Sequence, residues 1–372
     1  MMDVYRATGA LSKGLPGMKF LSVMVCEPEI PLLTSAWQMG VRPCDGREML
    51  AAMVKMQTTN AWWIADGRVG NEHMDEYLKC RYMPAECGEF SNTMETSYQD
   101  WCVAEFAKSL GAEPEARQFA ERATWWRNTI NPANGYCHVR NRKGEFLPKF
   151  NPMKTGNRSQ YIEGNGWQLT FYVPQDVPGL IAAVGSDRFL ERLRWGFETS
   201  RPMRYCSLNR DHNEVPVEHG NQQSMHFAWL FNWAGEPHET QARVRSILEN
   251  YYGYNDTTAW LGDEDQGQMS AWFVMSALGL FQTDGGCRAE PVYEIASPLY
   301  EETVIDLGER YGRGRTFTIR AHGTSRLNLY VQKAVLNGRE LTSFKFPAKE
   351  LLKGGSLELW MGEKPNPAWG VR

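Results

Sequence analysis

The spacing of apolar residues changes once along this chain, and that change limits the fold more than any single motif. From about Pro31 to Phe281 apolar side chains recur at helical spacing between loops containing glycine and proline. Residues 45–58 (DGREMLAAMVKMQT) read as one helix, and 96–110 (TSYQDWCVAEFAKSL) as another that ends on Gly111, a C-cap signature. Residues 114–131, 177–183, 187–197 and 268–278 continue the pattern, and 225–233 with 240–252 predict a helical hairpin around AGEPHE. Beyond about Gly285 the period becomes two. TFTIRA (316–321), LNLYVQKAV (327–335) and SLELWM (356–361) alternate like half-buried strands, and LNGRE carries an Asn-Gly turn signal. The reading is a helical domain at 1–284 followed by a β-rich region at 285–372. Helix pairs in series suit a toroid, although periodicity alone does not separate a toroid from a solenoid.

Bulk properties exclude some functions. A chain of 372 residues has room for two or three domains and a sizeable core. Its net charge of -4 is spread along the sequence, which points away from nucleic acid and anionic membranes. No run reaches the roughly 20 apolar residues of a membrane span. The N-terminal stretch MMDVYRATGALSKGLPGMKFLSVMV has a short apolar patch without a signal-peptide pattern, so the compartment stays open. Eight cysteines form no C-x-x-C pair, which argues against a zinc knuckle; a bridge between Cys80 and Cys87 and free buried thiols both remain open. Aromatic residues are plentiful, with 14 Trp, 15 Tyr and 16 Phe, many beside polar residues. They suit large core side chains, and equally a cleft where apolar sugar faces stack on rings.

Three loops ahead of helices concentrate polar chemistry. GDEDQG places Asp263, Glu264 and Asp265 between two glycines at the mouth of an apolar helix. One acid would cap that helix; three create repulsion that a cation, a proton or free helix N–H groups must relieve. If the loop is extended, Asp263 and Asp265 share one face and Glu264 takes the other. In YIEGNGWQ, Glu163 stands beside Trp167, and desolvation by a ring would raise its pKa as a general acid requires. The plainer alternative is a surface glutamate, and Asp176 downstream reads as a helix cap. In VEHGNQQSMHF, His219, Asn221, Gln222, Gln223 and His226 suit hydroxyl recognition or a hard-cation shell, or else an N-capping loop with a core histidine.

Several long motifs occur together and in order: MVCEPEIP, TSYQDWCVAEFAKSLG, YIEGNGWQLTFYVPQDVPGL, HGNQQSMHFAWLFNWAGEPHETQ, GDEDQGQMSAWFVMSALGLF, YEIASPLY and KGGSLELWMG. Through them the chain resembles the calcium-dependent exo-α-mannosidases of glycoside hydrolase family 92. The resemblance implies an (α/α)6 helical barrel, its N-terminal helices incomplete here, followed by a β extension. It also implies a β-sandwich ahead of the barrel, supplied by another domain or chain, and a secreted, periplasmic or cell-surface location. The implied reaction is inverting hydrolysis of terminal α-mannosides on a mannose-containing glycan. The match gives Glu163 the role of general acid and Asp265 that of general base with Asp263 assisting. Calcium would engage Gln223 and Asp265, and sugar contacts would fall on Glu27, Asn165, Trp167, His219, Asn221 and Gln222. Departures from the pattern are Gln222 and Gln223 where an acid and a proline are common, Glu27 where Asp is usual, and Gly220 where 1,2-specific members place Glu. Two alternatives belong to other classes: a non-catalytic glycan-binding or pseudo-enzyme fragment, and a different (α/α)6 glycosidase or phosphorylase.

Overall fold

The computed structural model describes residues 1–13, 24–42, 44–65, 67–154, 160–208 and 212–371. Part of the apolar N-terminal patch (14–23) lies outside them. The chain packs as two compact units, one of residues 1–175 with 284–289 and one of 176–283 with 290–372. The division falls inside the helical region, so the second unit contains helices and strands together.

The first unit is built around the helix Asn92–Ser109, which begins four residues before its predicted start. Most of its side chains are buried on every side, Thr96, Asp100, Val103 and Phe106 included. A helix enclosed in this way has no apolar stripe, and periodicity locates its ends poorly. Glu29–Gln38, Gly46–Met56 and Glu113–Arg122 supply Ile30, Trp37, Met49, Met53 and Phe119 to the same core. Asp45, expected inside the helix, caps it instead, its carboxylate accepting from Arg47 N at 2.7 Å and Glu48 N at 3.0 Å. Gly46 is required by crowding: a Cβ there would lie 2.7 Å from the Trp37 ring and 2.8 Å from Leu110. A hairpin that the sequence pattern did not predict, Trp62–Ile64 with Gly67–Val69, sits in the same unit.

Inside this core lies a charged pair. Arg122 donates to Asp100 at 2.8 Å, Tyr77 donates its hydroxyl to Asp100 at 2.9 Å, and Arg122 also reaches the Gln57 carbonyl at 2.7 Å. Both charged side chains are almost wholly enclosed, so each is stable there only through the other.

In the second unit Val177–Val184, Ser186–Ser200, Pro237–Asn250 and Gln268–Ala277 match predicted helices. Asp176 caps the first of them, accepting from Gly179 N at 2.9 Å. The segment 225–233 departs from expectation: it forms a 3-10 turn over Phe227–Trp229 and only one α turn over Leu230–Trp233. Phe227, Trp229 and Phe231 are all fully buried, and bulky aromatic side chains crowd a regular α turn. The strands form a five-stranded sheet in the order Arg339–Glu340, Tyr330–Leu336, Gly355–Gly362, Thr316–His322, Glu302–Asp306. Gly355–Gly362 runs parallel to Thr316–His322 and antiparallel to Tyr330–Leu336. Along Thr316–His322 the buried residues are Phe317, Ile319 and Ala321, the predicted alternation. Asn337 and Gly338, at φ 48° and 77°, close a two-residue hairpin. Gln241 and Arg245 dock the helix Pro237–Asn250 on this region: Val331 N donates to Gln241 at 2.9 Å, and Arg245 donates to Ser297 at 3.0 Å.

All eight cysteines are free thiols, and among the described residues no helix is long and apolar enough to cross a membrane.

Replacing Asp100 by Ala strands the buried Arg122 charge. The expected cost is about 3–5 kcal/mol of stability, read from equilibrium urea denaturation.

Candidate active site

Two of the three polar loops lie in the second unit, and there they meet. The acidic loop is not extended: Asp265 and Gln266 take left-handed φ values of 55° and 56°, and Gly267 has φ 102°. The labour still divides as the alternation argument expected, by a different cause. Glu264 turns back on the helix Gln268–Ala277, accepting from Gly267 N at 2.5 Å, Ser270 N at 3.2 Å and Ser270 Oγ at 2.8 Å. The Ser270 hydroxyl first, then the Gly267 amide, hold its carboxyl below the usual range. Glu264 is therefore the helix cap, and Asp263 and Asp265 are left exposed. Gln222, from the second loop, donates its amide to Asp265 Oδ2 at 3.4 Å. Burial pushes the Tyr251 hydroxyl well up, and the charges of Asp265 and Asp263 add to this, which places both aspartates within electrostatic reach of that ring.

The rest of the second loop is interior. His219 is fully buried against Trp272 (ring centroids 4.2 Å apart) and Tyr251 (4.7 Å), with Nε2 3.0 Å from the Tyr252 hydroxyl. Burial pushes its pKa down to about 3, so the imidazole is neutral across the physiological range. Gly220 follows for lack of space: a Cβ there would lie 2.8 Å from the Tyr251 hydroxyl and 3.1 Å from Glu218 Oε1. Asn221 and Gln223 are also buried, and Gln222 keeps partial exposure.

Glu163 belongs to the first unit. It is exposed, at φ 46°, on a loop fixed to the start of the helix Asn92–Ser109. Ser91 N donates to Gln160 O at 2.9 Å and Ser91 Oγ accepts from Ile162 N at 3.0 Å, while the Tyr161 hydroxyl bonds Cys137 O at 2.7 Å. Beyond Glu163 the chain enters the helix Gly166–Phe171 through a capping box between Asn165 and Gln168, with bonds of 2.9 and 3.0 Å.

Four expected sugar contacts are placed inside rather than on an open face, each for a packing reason. Asn165 is a helix cap, Trp167 stacks on Phe171 at 4.6 Å, and His219 is enclosed by aromatic rings. Glu27 is fully buried, 3.4 Å from Lys13 and beside Glu29; burial pushes both carboxyls up. Trp167, expected beside Glu163, is fully buried and packs on Phe171. A residue that motif reading passed over takes the perturbed role: Glu95, one helical turn beyond Ser91. Burial, and then the charge of Glu163, push its carboxyl up to about 7, with Lys13 opposing. No local signal set it apart, since the same helix also carries Asp100, Glu105 and Lys108.

Asp263 and Asp265 offer carboxylate oxygens of the kind a hard cation takes, while Gln222 turns an amide N–H, not its oxygen, toward Asp265. Among the described residues one group of three close acid or imidazole side chains stands elsewhere, Glu236, His238 and Glu239; its two acids are already paired with Arg194 and Arg243.

Two outcomes follow from these contacts. Glu264→Ala should lower the thermal midpoint through loss of the cap, while Asp263→Ala and Asp265→Ala leave it nearly unchanged. For Glu95 the folded pKa lies above the unfolded value. Its stabilising contribution is therefore complete below about pH 4.3 and is lost as pH rises toward 7. Calorimetry across pH 4–8 should show the Glu95→Gln midpoint gaining on the wild type as pH increases.

Known proteins agree with this architecture. The model of the glycosyl hydrolase family 92 catalytic domain matches residues 1–363. An uncharacterized secreted glycosidase of Arthroderma benhamiae is 27% identical over 345 residues, which are 83% of this chain and 41% of that protein. The solved structure of a family 92 inverting mannosidase from Bacteroides thetaiotaomicron superposes with a TM-score of 0.85 at 30% identity, covering 100% of this chain and 50% of that one. A family 92 α-mannosidase from the same organism gives a TM-score of 0.82 at 28% identity, with 94% and 44% covered. The chain thus spans about half the length of these relatives or less. Its fold class is theirs, mainly helical of the (α/α)6 type with a β-rich C-terminal region. With a family model over nearly its whole length and this degree of structural likeness, the chain belongs to glycosyl hydrolase family 92.

Proposed function

We propose that this chain is the catalytic portion of an α-mannosidase that removes terminal α-linked mannose from glycans with inversion. The observation that carries the reading is the division of acids in GDEDQG. With Glu264 occupied as the cap, Asp263 and Asp265 stay exposed, and Asp265 is held by Gln222. Two further carboxylates kept in water are what a general base and its helper require. Asp265 takes the proton of the attacking water and Asp263 supports it. Glu163, exposed on its clamped loop, gives a proton to the departing glycosidic oxygen. Gln223 and Asp265 would hold calcium, which polarises the sugar's 2- and 3-hydroxyls and helps distort the ring when bound. The substrate is a mannose-containing glycan, and a secreted, periplasmic or cell-surface setting agrees with the description of the Arthroderma relative as secreted. Support for the substrate class comes from the two Bacteroides structures, both described as mannosidases.

The test is mannose release from α-mannobioses and from an activated aryl α-mannoside, with product configuration followed by proton NMR. Wild type should release β-mannose first. Glu163→Gln should lower turnover of the mannobioses by roughly 10²–10⁴-fold and that of the activated substrate far less, since a good leaving group needs no proton. Removal of calcium with a chelator should abolish activity, and calcium should restore it. Mannoside binding without turnover would instead identify a glycan-binding member; retained configuration or dependence on phosphate would point to another glycosidase or phosphorylase chemistry.

A further inference from the structure

The acidic loop has a shape that it cannot keep by itself. Asp265, Gln266 and Gly267 are three successive left-handed residues, at φ 55°, 56° and 102°, and Gly262 stands at 80°. Asp265 and Gln266 are strained at such angles, and a strained turn persists only where its surroundings impose it. Glu264 braces the loop from within, through Gly267 and Ser270. That brace ties the loop to its own helix, and the points where the chain enters and leaves the loop need support from elsewhere.

Two consecutive tyrosines at the end of the helix Pro237–Asn250 supply it. The Tyr251 hydroxyl donates to the Leu261 carbonyl, immediately ahead of Gly262. The Tyr252 hydroxyl donates to the Met269 carbonyl at 3.1 Å, just beyond Gly267. GDEDQG therefore runs from one phenol to the other. Burial pushes both hydroxyls well up, so each remains a donor through the physiological range. The helix beneath them is fixed in turn: Arg204 donates to the Asn250 carbonyl at 2.6 Å, and Gln241 accepts from Val331 N at 2.9 Å.

The same two rings hold the second loop. The His219 ring lies 4.7 Å from Tyr251 and 5.6 Å from Tyr252, centroid to centroid. A phenol has one proton, and Tyr252 gives it to Met269, because a carbonyl only accepts. His219 Nε2, 3.0 Å from the same hydroxyl, must then be the donor, which fixes the neutral ring as its Nε2–H tautomer. Trp272 adds a further tie, its indole N–H donating to the Met225 carbonyl at 2.8 Å. The loop of Gln222 and the loop of Asp265 thus share one support.

We propose that Tyr251 and Tyr252 are positioning residues for the hydrolysis, a two-ended clamp that sets the carboxylates of Asp263 and Asp265 against the attacking water. Each phenol acts through the backbone at one end of the acidic loop rather than on the sugar. Their duties differ. The Tyr251 hydroxyl serves the acidic loop, whereas the Tyr252 hydroxyl also accepts from His219 and so serves both loops. The effect on turnover rests on the assignment of Asp263 and Asp265 to the water-activating side; the clamp itself does not.

Hydrogen exchange read by mass spectrometry, with calcium present, tests the clamp on the full chain in Tyr251→Phe and Tyr252→Phe, which keep the rings and remove only the hydroxyls. Exchange over residues 262–270 should quicken about fivefold or more in both variants, and over 218–224 in Tyr252→Phe alone. Tyr254→Phe, at a side chain 94% exposed, should match wild type throughout. In turnover, both clamp variants should lose roughly tenfold or more in kcat with KM within about twofold. The loss should be equal on α-mannobioses and on the activated aryl α-mannoside, since water must be activated whatever group departs; Glu163→Gln spares the activated substrate. Tyr251→Phe strands no buried donor, so it reports even where Tyr252→Phe, which strands the His219 N–H, disturbs folding. Unaltered exchange over 262–270 in Tyr251→Phe, loosened exchange with kcat retained, or a kcat loss confined to the mannobioses would each overturn the positioning role. A wild type that releases no mannose defeats the hydrolase reading alone, and the exchange result then decides the clamp.

Discussion

The carboxylate of Glu264 bonded to the first turn of Gln268–Ala277 is the contact on which the acidic loop depends. A helix N-terminus leaves N–H groups unsatisfied and carries partial positive charge, so an acid there is expected on structural grounds alone. Because one identified side chain meets that need, Asp263 and Asp265 are not required as caps. Both are exposed, and Asp265 accepts the Gln222 amide of a second loop. Neighbouring carboxylates are tolerated where a cation or a proton-transfer task uses them. Capping and chemistry are thus separate properties of adjacent residues, and the same six-residue loop supplies both.

The loop of Glu163, the proposed proton donor, shows a related separation in the first unit. Its geometry is set by groups that never touch the carboxylate: the two Ser91 bonds, the Tyr161 hydroxyl and the Asn165–Gln168 box. Beneath them the helix Asn92–Ser109 is anchored in the core and crossed by the Asp100–Arg122 pair. Glu163 is consequently an exposed side chain on a rigid base, which suits a group that must reach a substrate oxygen repeatedly from one direction.

How much of this could be read from sequence depended on whether a signal was local. The change from helical spacing to alternation near Gly285, the Asp176 cap and the Asn337-Gly338 turn are local, and the structure has them where the residues indicated. The start of Asn92–Ser109 was missed because a helix buried on all sides has no stripe to follow. The hairpin carrying Trp63 was missed because two strands of three residues are shorter than any period test resolves. In the acid loop extended alternation does not hold: left-handed residues and a cap set Glu264 apart from Asp263 and Asp265. Glu95 illustrates the remaining limit. Its perturbation arises from Glu163, 68 positions further along the chain (163 minus 95), and composition does not reveal that proximity.

Burial also changes how the departures at His219 and Gly220 are understood. Taken as letters, a glycine after the histidine is a lost acidic contact. In the structure the position is fixed by its surroundings, since any Cβ meets the Tyr251 hydroxyl and Glu218, and Tyr251 is itself bonded to the Leu261 carbonyl just ahead of the acidic loop. His219 is neutral and enclosed, with Trp272 of the capped helix on one side and Tyr252 on the other. The His219–Gly220 step is thus a packing joint between the two loops that carry Gln222 and Asp265. A side chain at 220 would displace Tyr251 and with it the start of GDEDQG.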